Sequence, residues 1–148
     1  MPRRLVFLLA LMAAAAAHAA DDGKAVFERR EDTMKQMGKP FYLGLGRVVK
    51  GTQPFGPETV AAAETVASLA QRIEPALFAP GSDVGGTKMK PEIFKDPARV
   101  AELARQAREA VARLPAAAAS GDKAQLATAF GAANEACLAC HKAFRNED

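Results

Sequence analysis

The chain has 148 residues, with 20 Lys and Arg residues, 17 Asp and Glu residues, two cysteines and a formal net charge of +3. This length is sufficient for one ordinary domain with a buried core. Its basic residues are interspersed with acids, which argues against the continuous basic patch of a nucleic-acid-binding protein.

Residues 1–19 have the pattern of an export signal. Two arginines near the start precede an apolar run at residues 5–17, which is too short to cross a bilayer, and an Ala-His-Ala sequence fits the pattern before a cleavage site. We therefore expect a signal peptide cleaved near Ala19 and a single mature domain at residues 20–148 in the periplasm. With 18 basic and 17 acidic residues, that domain has a net charge of +1. The alternative, an uncleaved membrane anchor, would need a longer apolar span.

Apolar residues recur at steps of three and four along the mature chain, and no convincing run alternates with the period of a β-strand. The pattern predicts four helices at about residues 24–50, 58–77, 97–119 and 122–144, separated by segments that contain Gly and Pro. Such helices favour an all-α protein, an antiparallel four-helix bundle whose core holds a cofactor.

The first predicted helix carries two irregular features. Arg30 lies on its apolar stripe, where a guanidinium without an anion is costly to bury. It could reach the surface, pair with an acid such as Glu31 or Asp32, or bind the carboxylate of a cofactor. Pro40 removes a backbone donor within the same helix, so we expect a kink there.

The last predicted helix contains Cys137-Leu-Ala-Cys140-His141, the most informative stretch of the chain. Residues three apart share a helix face, so Cys137 and Cys140 can form thioethers with the two vinyl groups of one haem c, and His141 follows as an iron ligand. Other interpretations are weaker. A thioredoxin-like site needs a βαβ context, a zinc site needs four ligands, and a disulfide here would close too small a loop to stabilise a domain.

Cleavage of the signal leaves His141 as the only histidine of the mature chain, so a second iron ligand from the same subunit cannot be histidine. A lysine is the weaker alternative to a thioether, and three thioethers remain: Met34, Met37 and Met89. A haem propionate one turn from Met34 would supply the anion that Arg30 needs. Arg145, in the last turn of the fourth helix, is the candidate for the other propionate.

Taken together, these features resemble the class II c-type cytochromes, the cytochrome c' family. The resemblance covers nearly the whole mature chain. It rests on the cysteine motif followed by Lys-Ala-Phe-Arg, on Pro-Glu-Ile-Phe at 91–94, on Val-Val-Lys-Gly at 48–51 and on the spacing of Arg30 and Met34. It implies that Arg30 contacts a propionate, that Met34 faces the distal side of the iron, and that residues 81–83 lie near the haem.

The first helix departs from that family in length. The segment from Met34 to Gly51 is one residue longer than the usual spacing. We expect the bend at Pro40 to absorb the extra residue, which could move Met34 or Met37 relative to the iron.

Two functions follow from the resemblance, and they differ in what occupies the distal side of the iron. If Met34 binds the iron, the protein transfers electrons to and from redox partner proteins that the sequence does not identify. If Met34 only packs over an open iron, the protein binds small gases such as nitric oxide and carbon monoxide. We favour electron transfer, because a bound thioether raises the reduction potential. We expect no enzymatic activity, since no distal histidine or acid is available for catalysis, and a homodimer through the first two helices stays open as a family trait.

Overall fold

The computed structural model describes residues 22–146 and shows an all-α protein. The signal peptide expected at residues 1–19 lies outside this range. The helices of the described chain are α1 (residues 22–49), α2 (Pro57–Ala70), α3 (Pro97–Val111), α4 (Leu114–Ala119) and α5 (Lys123–Phe144). The long helices α1, α2, α3 and α5 form a four-helix bundle, and α4 is a short helix between α3 and α5. The predicted fold class is confirmed.

The long connection between α2 and α3 contains two 3-10 turns, Pro75–Phe78 and Pro91–Phe94. Residues 22–146 contain no strand, but an isolated antiparallel bridge pairs Met89 with Arg145. On either side of this bridge, backbone hydrogen bonds of 2.8 Å tie the connection to the end of α5. None of the helices between residues 22 and 146 is long and apolar enough to cross a membrane.

The helices begin where the sequence predicts. Pro57 and Pro97 open α2 and α3, where a missing N–H costs no helical hydrogen bond. Asp96 caps α3 by accepting a 2.9 Å hydrogen bond from a backbone N–H of the first turn. Asp122 caps α5 in the same way at 2.8 Å, and these bonds lower the pKa of its carboxyl. The predicted start of this helix near residue 122 is therefore confirmed.

The irregularity expected near Pro40 takes the form of a π-helical turn. Helix α1 is α-helical over residues 22–38, π-helical over Lys39–Leu45 and α-helical again over Gly46–Val49. The buried side chains recur in steps of four, three, four, four, four and three: Val26, Arg30, Thr33, Met37, Phe41, Leu45 and Val48. Three consecutive steps of four, from Thr33 to Leu45, place one more residue in this stretch than alternating steps of three and four would. The Gly46 N–H donates to the carbonyl of Phe41, five residues earlier, which is the hydrogen bond of a π-helix. The π turn takes up this residue, so both halves of α1 face the core.

Two predicted helices are shorter than expected. Helix α2 ends at Ala70 instead of residue 77, because Pro75 has no N–H and disfavours helix in the residue before it. The third predicted helix breaks into α3 and α4. The cause is Pro115, whose ring clashes with the carbonyl of Val111, four residues earlier, and α3 ends there.

The hydrophobic core has two parts. The larger part joins all five helices around side chains with no exposed surface, such as Leu45, Val66, Leu114 and Leu126. The smaller part lies between α3, the second 3-10 turn and the end of α5, and its buried members are Ile93, Val100, Leu103 and Phe144. Both parts contribute side chains to one internal cavity.

Candidate functional site

The cavity between the two parts of the core has a volume of about 450 Å³, within the range of small-molecule and cofactor sites. Apolar side chains of α1, α2, α3 and α5 form most of its wall. All the predicted site residues line it: Arg30, Met34, Cys137, Cys140, His141 and Arg145. The fold therefore brings together residues that lie more than one hundred positions apart in the sequence.

Helix α5 presents the three chemical groups that the motif predicts. Cys137 and Cys140 are free cysteines, and both are partly buried, as is His141. Burial raises the pKa of Cys137 to about 11, with a smaller contribution from Cys140, and burial also raises the pKa of Cys140. Burial, and then the charge of Arg145, lower the pKa of His141, so its imidazole is held neutral, the form that binds metals. Across residues 22–146, no group of three or more His, Cys, Asp and Glu side chains is arranged to hold a metal ion, so the zinc interpretation gains no support.

Arg30 is buried in α1 with only 5% of its surface exposed. It neither reaches the surface nor pairs with Glu31 or Asp32, so those two alternatives are wrong. Glu31 forms an ion pair with Lys35 at 3.1 Å, and Asp32 accepts a hydrogen bond from Gln36 at 2.7 Å.

The hydrogen-bond acceptors around Arg30 are neutral, and they come from residues 77–87. Burial lowers the pKa of its guanidinium, an effect that the more distant carboxylates of Glu31 and Asp83 oppose. Within residues 22–146, no carboxylate lies within ion-pair distance of this cation. A buried cation that lines a cavity and lacks an anion fits a ligand that carries a carboxylate, as haem does.

The three candidate methionines all line the cavity, but from different places. Met89 lies on the loop that is bridged to Arg145 and packs in the smaller core beside Phe144, on the side of His141. Met37 is buried in the larger core. Met34 is partly buried, and it lies on α1 one turn from Arg30. Met34 and His141 therefore line the cavity from two different helices, and iron ligation by the Met34 sulfur stays a prediction.

Arg145 lies just beyond the end of α5 and close to the histidine. Its backbone N–H donates to the His141 carbonyl at 2.7 Å, and its charge contributes to the lowered pKa of that imidazole. Arg145 also has a further interaction, so it is not without a partner. The geometry connects Arg145 with the histidine, and its contact with a propionate stays a prediction.

Two residues near the site, Tyr42 and Thr87, were missed in the sequence. Ser82 lies within residues 81–83, which the resemblance places near the haem, but its contact with Arg30 was missed. Tyr42 lines the cavity, and its hydroxyl donates a long 3.4 Å hydrogen bond to Asn134 on α5. Ser82 and Thr87 accept hydrogen bonds from Arg30. The one signal for these hydroxyls is the unpaired arginine itself, because a buried guanidinium requires several acceptors, and a loop with two hydroxyl side chains can supply them.

Comparison with known proteins agrees with this geometry. The family model described as cytochrome c' matches residues 25–145. Cytochrome c' of Rubrivivax gelatinosus is 31% identical over 82% of this chain and 99% of its own length, and cytochrome c-556 of Agrobacterium tumefaciens (strain B2A) is 34% identical over 80% and 94%. The nitric oxide complex of a point mutant of cytochrome c prime from Alcaligenes xylosoxidans superimposes with a TM-score of 0.76 at 29% identity, over 85% of this chain and 97% of that one. The chain therefore belongs to the cytochrome c' family, and its cofactor is a covalently bound haem c.

Proposed function

We propose that the protein is a periplasmic electron-transfer cytochrome in which one haem c, attached to Cys137 and Cys140, has its iron between His141 and Met34. The observation that carries this proposal is that Met34 and His141 reach one cavity from two different helices. When bound, the haem supplies a one-electron iron couple, and the protein sets its potential and its access to solvent.

The residues of the chain have separable tasks in this proposal. His141, kept neutral by its lowered pKa, offers a lone pair to the iron. The Met34 thioether raises the reduction potential when it is bound. Apolar side chains such as Val66, Ile73 and Leu103 exclude water from the cavity, so the iron can change oxidation state in a constant environment. Electron transfer of this kind needs no group that accepts or donates a proton, and we propose no enzymatic turnover.

The location and the partners belong to the same proposal. The export signal expected at residues 1–19 supports a periplasmic protein, because haem is attached to such motifs outside the cytoplasm. Its partners would be redox proteins of that compartment, which neither the sequence nor the fold identifies. Dimerisation through the first two helices stays an expectation drawn from the family.

A second candidate function is the binding of small gases. Beside Met34, the wall that α1 contributes contains the apolar side chains of Met37 and Phe41, together with the ion pair of Glu31 and Lys35. If the Met34 sulfur only fills space, this wall would leave an iron position open to nitric oxide or carbon monoxide. A relative of the same fold forms a nitric oxide complex, which supports this alternative.

A pair of matched variants separates the two functions. Met34→Ala and Met37→Ala each remove a thioether from the cavity wall of α1, but only the first removes the proposed ligand. We expect the EPR and optical spectra of the exported holoprotein to change from low spin to high spin in Met34→Ala and to stay low spin in Met37→Ala. Low-spin iron in both variants would contradict methionine ligation by Met34, and high-spin iron in the parent protein would favour gas binding.

A further inference from the structure

The loop at residues 79–87 wraps around the buried guanidinium of Arg30. Ser82 has no exposed surface, and both of its oxygens accept from Arg30: its hydroxyl at 2.9 Å and its carbonyl at 2.7 Å. The Ser82 hydroxyl donates its own hydrogen to the Ala79 carbonyl at 2.7 Å. Its lone pairs are therefore fixed toward the guanidinium, and the loop holds the arginine in one orientation.

A count of donors shows how little of this guanidinium remains for a ligand. Arginine has five N–H groups, four of them on the two terminal nitrogens. One terminal nitrogen donates to the Leu77 carbonyl at 3.1 Å and to the Ser82 hydroxyl, and the other donates to the Ser82 carbonyl and to the Thr87 hydroxyl at 3.4 Å. Only the Nε–H is left, and the Phe27 ring lies 5.6 Å from the guanidinium carbon.

The four bonds are not equally strong. The bond to Thr87 is longer than the usual 2.7–3.2 Å of an N–H···O hydrogen bond, whereas the two bonds to Ser82 are within it. Thr87 also accepts a 3.2 Å bond from the Met89 backbone N–H and lines the cavity. A carboxylate that enters the cavity can replace Thr87 with little loss and gain a charge-assisted bond.

We propose that Ser82 is a positioning residue that aims Arg30 at a haem propionate, and that Thr87 is the exchangeable acceptor which the propionate replaces. This proposal rests on the haem site described above. As a consequence, the stability of the ionised propionate depends strongly on the orientation that Ser82 gives to Arg30 and only weakly on Thr87.

Other charges near the cavity set the background for this effect. Glu31 and Lys35 line the cavity and form an ion pair with each other. Asp83 lies on the same loop as Ser82, and Lys88 and Arg145 line the cavity from the loop and from beyond α5, where both have other interactions. The other titratable groups that line the cavity are Tyr42 of α1 and Cys137, Cys140 and His141 of α5, and the two cysteines lose their titratable protons when they form thioethers. These groups are unchanged in all the variants below, so their effect on the pKa of the propionate is the same in each variant and does not alter the difference between variants.

The test compares three variants of the exported holoprotein: Ser82→Ala, Thr87→Val and Ser120→Ala. Ser120 is the matched control, because its hydroxyl also donates to a carbonyl three residues earlier at 2.8 Å, outside the cavity. The measurements are the pH dependence of the haem reduction potential and the amide hydrogen exchange of residues 79–87. Weaker positioning of the cation raises the pKa of the propionate. We therefore expect Ser82→Ala to move the midpoint of the pH dependence upward by about one unit, a tenfold change in proton affinity.

In Ser82→Ala we expect the hydrogen exchange of residues 79–87 to become about tenfold faster, while Ser120→Ala matches the parent protein in both measurements. Thr87→Val removes one weak acceptor of Arg30, so we expect it to move the midpoint by much less than Ser82→Ala does. A potential that follows pH identically in Ser82→Ala and the parent would overturn the proposal, as would an equal shift in Thr87→Val. If Ser82→Ala does not fold, Arg30→Lys keeps the charge without the forked donors and is expected to show the same upward shift. Failure to attach haem in the parent protein would instead refute the site, so the two failures are distinguishable.

Discussion

Helices α1 and α5 line the same cavity but specify it in different ways. On α5 the groups that we propose to bind haem lie within five consecutive residues of a regular, capped helix, so local geometry alone places Cys137, Cys140 and His141. On α1 the corresponding wall depends on a π-helical turn within the helix and on a loop more than forty residues away that holds Arg30. The positions of the groups for covalent attachment are thus set within one helix, whereas the cavity wall on α1 is set by contacts between segments that are distant in the sequence.

The largest expected effect comes from the α5 thiols. Changing both Cys137 and Cys140 to Ser keeps the size of the side chains but removes the sulfurs that form thioethers, so we expect complete loss of covalently attached haem. The mass of the exported chain, measured after denaturation, checks this directly. Leu138→Ala is the control, because Leu138 lies between the cysteines and is 48% exposed, and it should retain the haem. Haem that stays attached to the double variant would contradict the assignment.

Two glycine-to-alanine variants compare how the loop beside α1 and the regular helix α5 respond to an added side chain, measured as the free energy of unfolding. Gly85 has φ +67°, and an added Cβ would lie 2.8 Å from the Phe27 ring, so Gly85→Ala should lower the free energy of unfolding by about 1–3 kcal/mol. Gly131 lies within α5, with no atom within 4 Å of an added Cβ, so Gly131→Ala should raise it by about 0.5–1 kcal/mol. Urea unfolding of the two holoproteins measures both changes. Equal stability of Gly85→Ala and the parent would mean that the loop does not support this wall.

The smallest expected effect concerns Tyr42, where α1 meets α5. Burial raises the pKa of Tyr42 above its ordinary value of 10, Cys137 adds to the shift and Arg145 opposes it. Because a thioether carries no charge, burial remains the main cause in the holoprotein. The unfolded chain then ionises first, so the contribution of this group to stability is present below pH 10 and is lost as the pH rises through the raised pKa.

Tyr42 is the only tyrosine, and the chain has no tryptophan, so ultraviolet absorbance of the phenolate reports on this residue alone. We expect a titration midpoint above 10 in the parent holoprotein. Asn134→Ala removes the partner of the hydroxyl and should bring the midpoint closer to 10. A midpoint at or below 10 in the parent would show that burial does not raise the pKa of this half-exposed side chain, and it would contradict the packing of α1 on α5 at this point.

The contrast between the two helices also explains what could be predicted from the sequence. The cap at Asp122, the apolar stripe of α5 and the clustering of all the predicted site residues around one cavity follow from periodicity and motif spacing, and they agree with the structure. The end of α2 and the break before α4 were missed, because Pro75 and Pro115 interrupt an apolar pattern that continues past them. Neither was foreseeable from hydrophobic period alone.

Arg30 shows a deeper limit. Its place on an apolar stripe signals that the guanidinium needs partners, but the partners lie 47 to 57 residues further along the chain, in a loop without periodic structure. The bend at Pro40 is a similar case. The sequence indicates an extra residue and a proline, whereas the absorption of that residue as a π turn depends on the core that both halves of α1 must face.

The most direct test of the central claim, that the iron lies between His141 and Met34, is the optical spectrum of the reduced parent holoprotein before and after addition of carbon monoxide. With both axial positions held by the protein, we expect a low-spin spectrum that carbon monoxide leaves unchanged. A high-spin spectrum that shifts at once on addition of the gas would contradict the claim and identify an open iron site.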